Sequence, residues 1–293
     1  MWTTVRAFLG MIRFSHTVFA LPFALLAALL AWQDVKFHFE TLIGIVLCMI
    51  FARTAAMGFN RLADRHIDAK NTRTANRHLP SGQLSASAVW ALTLAAAAAF
   101  IASTTIFLIT DPPNFWPIIL GGPVLIFICV YSWTKRFTAL AHFWLGASLM
   151  LAPIAAWIAI RGFSGMATPW VLGTAVLFWV SGFDILYACQ DADFDRKEGL
   201  HSVPATLGVR GSLRVALACH LIMLATLLAL FFVSPHLGTV YLIGLGAIAA
   251  LVAYQHWLVR PDDLTRVNRA FFQVNGVISV GLFLIVLVQV LVN

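Results

Sequence analysis

Uninterrupted apolar runs of about 20 residues recur along this 293-residue chain, and they leave few folds open. Each run can cross about 30 Å of hydrocarbon as a helix rising 1.5 Å per residue. Lipid offers no partner to unpaired backbone groups, so only helices and closed barrels span it. Barrel strands alternate with period two, and these runs do not. Composition agrees: only 11% of the residues are charged, against about 25% in soluble domains. The reading is an all-α integral membrane protein, one domain over 1–293. Its nine spans lie at about 14–33, 40–60, 84–109, 115–133, 139–160, 169–189, 212–233, 237–259 and 270–292. The first run is long and no polar domain follows it, so it reads as a retained span, not a signal peptide. Cys48, Cys129, Cys189 and Cys219 lie in or beside apolar runs with no C-x-x-C pair. They read as small buried hydrophobes.

The basic residues give an orientation. Sixteen of the nineteen Lys and Arg fall at the N-terminus or in the loops after spans 2, 4, 6 and 8. Lys36 and Arg161 are on the other side, and Arg53 is inside span 2. Basic residues gather in cytoplasmic loops. The N-terminus and those loops are therefore expected on the cytoplasmic side of the plasma (inner) membrane. Topology accounts for most of the net charge of +7, so no nucleic-acid partner is called for. Nothing points to a protein partner; the lipid bilayer is the expected surrounding.

Two of these loops, about 61–83 and 190–211, are long and polar. Four spans separate them, so both lie on the same side. The first begins with Asn60, Asp64 and Asp68, spaced i, i+4, i+8. If span 2 stays helical there, the three side chains share one face. The second begins with Tyr187, Asp191 and Asp195 at the same spacing, and Asp184 extends that face one turn into the membrane. Like charges at i, i+4 destabilise a helix mildly. A hard divalent cation removes the conflict. Mg²⁺ takes oxygen ligands and is typically held by one or two carboxylates together with substrate phosphates. Lys70, Arg73 and Arg77 follow the first cluster, and Arg196 and Lys197 follow the second. Lys and Arg bind phosphate oxygens, Arg in bidentate fashion. The pattern therefore predicts Mg²⁺-dependent binding of a diphosphate whose growing negative charge is stabilised as it leaves. An ion-coupled transporter would place its aspartates near the bilayer midplane, whereas these fall at span ends. The lone histidines His16, His66, His142, His220 and His256 read as packing or interface residues.

Asn60-x-x-x-Asp64-x-x-x-Asp68, followed by Arg73-Thr-Ala-Asn-Arg77-His-Leu-Pro-Ser-Gly82, resembles the first signature of the UbiA prenyltransferases. Tyr187-x-x-x-Asp191-x-x-x-Asp195, followed by Gly199, Ser202 and Pro204, resembles the second. The resemblance covers essentially the whole chain. His78 departs from the commonest pattern, which has Arg-Pro after Arg77, and implies a difference in loop shape.

The resemblance implies nine helices around a central cavity, and transfer of an isoprenoid chain from a polyprenyl diphosphate to an acceptor. By it, Asp64, Asp68, Asp191 and Asp195 are the catalytic carboxylates. With Asn60 they hold Mg²⁺ and diphosphate, while Arg73, Arg77, Lys197 and Lys70 bind phosphates. Tyr187 lines the carbocation path. Arg13 and Arg53 are candidates to bind an acidic aromatic acceptor, with Tyr187 and Asp184 beside it. Arg53 lies two turns before Asn60, on roughly the same face, and an intramembrane Arg is a functional hypothesis by default. The loops are most similar to 4-hydroxybenzoate-type members of ubiquinone biosynthesis, and also to the branch that prenylates a hydroxylated naphthoate for menaquinone. Asp191 is a candidate to accept the ring or phenol proton.

Overall fold

The computed structural model describes residues 2–12 and 20–292. Arg13 and His16 lie outside the described residues. Eight described helices are long and apolar enough to cross a membrane. They are α3 (Phe39–Lys70), α4 (Ala86–Thr104, prolonged by a 3-10 turn to Leu108), α5 (Trp116–Thr134), α6 (Ala141–Arg161), α7 (Ala167–Ala188), α9 (Val203–Val233), α10 (Thr239–Leu258) and α12 (Asn275–Val292). Short α8 (Ala192–Lys197) extends α7, and one-turn α11 (Val267–Arg269) with a π-helical turn, Ala270–Val274, precedes α12. The predicted first span is represented by α2, Leu21–Ala31. The sequence does not foretell α1, Trp2–Met11.

Backbone contacts divide the chain into two compact units. In the first, formed by α1, α3, α4 and α5, α3 and α4 run antiparallel in near backbone contact. Gly44 meets the Phe107 ring, and a Cβ on Gly58 would lie 2.2 Å from Thr93 Oγ1. Phe8, Met11 and Ile12 of the N-terminal segment cover Leu62, Leu84 and Val89.

The second unit holds α2 and α6–α12. Lipid tails are as apolar as Leu, so membrane helices associate where small residues let backbones approach. Gly146 of α6 sits under the Leu177 carbonyl of α7, Gly182 of α7 under His220 of α9, and Gly244 of α10 under Ile285 of α12. Several buried polar groups between these helices are paired. Trp179 Nε1 donates to Asn275 Oδ1 at 3.0 Å, Tyr241 N donates to Gln289 Oε1 at 3.1 Å, and His220 Nδ1 lies 2.7 Å from His256 Nε2.

Helix bounds depart from the sequence reading where capping decides them. The segment 61–70, expected in a loop, continues α3, and Asn71 in extended conformation ends it. α9 begins at Val203, not near 212: the Ser202 hydroxyl accepts from Ala205 N at 3.2 Å as an N-cap. The helix is kinked at Gly208, whose φ of +66° suits glycine alone.

At one end of this unit Asp34 accepts from Arg161 Nη1 and, at 2.9 Å, from His236 Nε2, joining three loops. Partial burial acts to raise the Asp34 pKa, but the hydrogen bonds and charges of His236 and Arg161 outweigh it and hold the carboxyl below the usual 3.8. A depressed carboxylate pKa contributes stability at pH above the unfolded value and loses it as pH falls through the folded one. Asp34→Asn is therefore expected to lower the melting temperature in detergent at pH 7, and the difference should shrink as the pH falls below about 4. The site is part-exposed, so the effect should stay under about 1 kcal/mol.

Candidate active site

In the first unit, α3 carries Asn60, Asp64 and Asp68 on successive turns, as the spacing predicts. Asn60 Nδ2 donates to Asp64 Oδ2 at 3.0 Å. Asp68 is buried at 7% exposure and receives Arg77 Nη1 on both oxygens, at 2.7 and 2.8 Å. Arg61 Nη1 stands 4.0 Å from the same carboxylate. The chain then turns back. Asn71 Oδ1 accepts from Arg73 N at 2.9 Å, and Thr74 Oγ1 donates to the Asp68 carbonyl at 2.9 Å. These bonds fold the segment so that Arg77 returns to Asp68. Lys70 and Arg73 are exposed. Past His78 the loop closes through the backbone, with Leu84 N donating to the His78 carbonyl at 3.0 Å.

Arg53 is half-buried in α3, and among the described residues no carboxylate pairs with it. A guanidinium in that setting is available to an acidic ligand.

In the second unit, Asp191 and Asp195 do not continue a straight α-helix. α7 tightens into a 3-10 turn over Cys189–Asp191, and α8 starts afresh at Ala192. Both carboxylates are nevertheless buried, at 8% and 2% exposure. Asp193 and Asp195 in the first turn of α8, and Arg196 and Lys197 in its last, match the helix dipole. Gly199 at φ +68° closes α8: its N–H bonds to the Arg196 carbonyl, and Leu200 N–H bonds to the Asp195 carbonyl at 2.8 Å. The second signature is thus partly a set of caps, with Gly199 ending α8 and Ser202 and Pro204 starting α9.

Lys135, which follows α5 and belongs to the second unit, reaches Asp195 Oδ2 at 3.6 Å. That oxygen is buried and has no hydrogen-bond partner. His201 N donates to the Lys135 carbonyl at 2.7 Å and ties the two segments together. Sequence reasoning missed Lys135. Its position directly after span 4, on the side of both acidic clusters, was the available signal. Arg196 does not join the buried carboxylates; it is exposed and pairs with Asp193 at 3.2 Å. Lys197 is also exposed.

Tyr187, one turn before Asp191, packs at 4.3 Å against Phe271 and at 6.1 Å against Phe272. Phe183 meets Phe271 at 5.2 Å and Trp179 at 4.9 Å. The rings form one continuous aromatic wall, built where the π-helical turn before α12 projects two adjacent Phe side chains toward α7. Asp184 Oδ2 lies 2.6 Å from His142 Nδ1. His142 is therefore more than packing.

Among the described residues no three His, Cys, Asp or Glu side chains form a complete metal cage. The donors the two segments do present, the side-chain oxygens of Asn60, Asp64, Asp68, Asp191 and Asp195, are the hard oxygen type that Mg²⁺ takes together with phosphate oxygens.

These features define a polytopic helical membrane protein with buried carboxylates set against cations at two helix ends. The model of the UbiA prenyltransferase family matches residues 20–277. The chain is 31% identical to a 4-hydroxybenzoate octaprenyltransferase of Marinobacter nauticus, over 81% of this chain and 78% of that one. It is 33% identical to another of Nitrosomonas europaea, over 83% and 81%. Among solved structures, the apo UbiA homologue of Aeropyrum pernix K1 superposes with a TM-score of 0.82 at 30% identity, over 95% of this chain and 98% of that one. The fold also matches a UbiA homologue of Archaeoglobus fulgidus bound to DMAPP and Mg²⁺, with a TM-score of 0.70 at 19% identity, over 98% and 99%. The chain belongs to the UbiA prenyltransferase family.

Proposed function

We propose that this protein transfers a polyprenyl chain from its diphosphate to the ring of a hydroxy-aromatic acid, with 4-hydroxybenzoate the preferred acceptor. The observation that carries this reading is the pairing of buried carboxylates with cations at both signature segments, Asp68 with Arg77 and Asp195 with Lys135. Diphosphate departure needs that mixture of charges. The names of the relatives favour the benzoate over the naphthoate.

Asn60, Asp64, Asp68, Asp191 and Asp195 would hold Mg²⁺, which when bound neutralises charge on the diphosphate. Arg77 and Lys135, with Lys70, Arg73 and Lys197 from the surface, bind the phosphate oxygens as negative charge grows on them. Tyr187, Phe271 and Phe272 face the allylic cation with ring surfaces that stabilise positive charge, and their apolar packing keeps water from quenching it. Arg53 binds the acceptor carboxylate. The reacting ends face the cytoplasm, as the distribution of basic residues supports.

The test is an assay of purified protein in detergent with labelled polyprenyl diphosphate, offering 4-hydroxybenzoate and dihydroxynaphthoate in parallel. Prenylated 4-hydroxybenzoate that disappears on adding EDTA is the expected result. Transfer only to the naphthoate would move the protein to the other branch. No transfer to either would reject a hydroxy-aromatic acceptor.

A further inference from the structure

His142 is fully buried at the start of α6, and its ring bridges two other helices. On one side Val203 N, the first N–H of α9, donates to His142 Nε2 at 3.4 Å. A backbone N–H can only donate, so Nε2 carries the lone pair and the ring proton sits on Nδ1. Nδ1–H then donates across 2.6 Å to Asp184 Oδ2. The converse arrangement, a protonated Asp184 donating to Nδ1, would set an Nε2–H against the Val203 N–H. The network therefore fixes His142 as the neutral Nδ1–H tautomer and Asp184 Oδ2 as the acceptor.

The rest of Asp184 is open. Its side chain keeps 15% of its surface accessible, and Oδ1 has no hydrogen bond among the described residues. Asp68 and Asp195 each stand against a cation, whereas the partner of Asp184 is an imidazole. Asp184 lies one turn before Tyr187 on α7 and seven residues before Asp191, roughly 10 Å along the chain axis. That is a suitable separation for a group that meets the aromatic ring while Asp191 serves the diphosphate.

We propose that Asp184, oriented by His142, is the general base that removes the ring proton after prenyl transfer. This rests on the aromatic-acceptor reading above. The C1–O bond of the donor breaks with its electron pair on the diphosphate, and a new C–C bond joins C1 to the ring carbon ortho to the hydroxyl. The C–H bond at that carbon then breaks, its electrons restore the aromatic ring, and the proton passes to Asp184 Oδ1 and on to water. Oδ2 keeps its hydrogen bond from His142 throughout, so the base needs no reorientation. His142 is a positioning residue, and Asp184 takes over the proton-accepting role for which the sequence offered Asp191.

The experiment compares 4-hydroxybenzoate with its analogue deuterated at both ortho positions, in the wild type, Asp184→Asn, His142→Ala and His142→Gln. In the wild type proton loss is fast and the isotope effect on kcat should be near unity. Asp184→Asn should lower kcat by about 10²–10⁴-fold, the usual worth of a positioned base. It should also raise the isotope effect well above unity, and leave Mg²⁺-dependent diphosphate binding unchanged. His142→Ala should move both quantities the same way by less. His142→Gln, which offers both a donor and an acceptor, should restore them. Wild-type rates in Asp184→Asn, or slowed rates with an isotope effect still at unity in both Asp184→Asn and His142→Ala, would overturn the proposal and leave the function intact. A wild type that prenylates no hydroxy-aromatic acid would overturn both.

Discussion

Asp64→Asn and Asp191→Asn are each expected to abolish measurable prenyl transfer in protein that still folds. The substitution keeps size and one acceptor oxygen but removes the charge. Asp64 is linked to Asn60 at 3.0 Å on an otherwise regular helix, and Asp191 ends a 3-10 turn whose backbone bonds do not depend on its side chain. Neither fold element should suffer. The chemistry should, because cation binding and diphosphate departure rest on a summed field. Removing one preorganised electrostatic group at a reacting centre costs about 10²–10³-fold, and a carboxylate shared with a divalent cation should cost at least that. Steady-state rates at saturating Mg²⁺, read beside melting curves in detergent, check this. Wild-type rates in both variants would mean that the acidic clusters have another purpose.

Gly146→Val should have the largest effect on the fold. A Cβ at this position would lie 2.4 Å from the Leu177 carbonyl oxygen and 2.6 Å from Ser181 Oγ. The first of these is backbone and cannot rotate away. α6 and α7 would have to separate, and with them the His142–Asp184 bond and the Ser181 hydroxyl bond to the His142 carbonyl at 3.3 Å. Overpacking usually costs about 1–3 kcal/mol, and a clash with main chain should reach or exceed that range. The measurable outcome is loss of the monodisperse species on size-exclusion chromatography. Gly122→Val in α5 is the control: nothing lies within 4 Å of a Cβ there, and that variant should behave as the wild type.

The sequence makes legible whatever is written in local spacing. Eight of the nine apolar runs became helices long enough to span, and Asn60, Asp64 and Asp68 fell on one helical face because α3 continues past them. Less legible were features that depend on partners far along the chain. Lys135 meets Asp195, and His142 meets Asp184 across 42 positions; no periodicity encodes either pair. The start of α9 was hidden for a related reason. The stretch up to about 211 read as part of a long polar loop, yet Ser202 caps the helix and His142 accepts from its first N–H. α1 is only 10 residues long and takes its stability from packing on Leu62 and Val89, so its own sequence is a weak signal. Arg196 is a further case: it follows Asp195 directly in sequence, yet it pairs with Asp193 at 3.2 Å, because successive helical residues point in different directions.

The close helix contacts at Gly44, Gly58, Gly146 and Gly182 also say where this enzyme can be re-engineered. At those positions almost any added atom meets a neighbour at once, so a library that includes them will consist mostly of misfolded chains. Tyr187, Phe271 and Phe272 differ. They are large side chains meeting ring to ring, so trimming one opens volume without moving a backbone. Efforts to change the length of the accepted isoprenoid should therefore randomise these three rings and hold the glycines fixed.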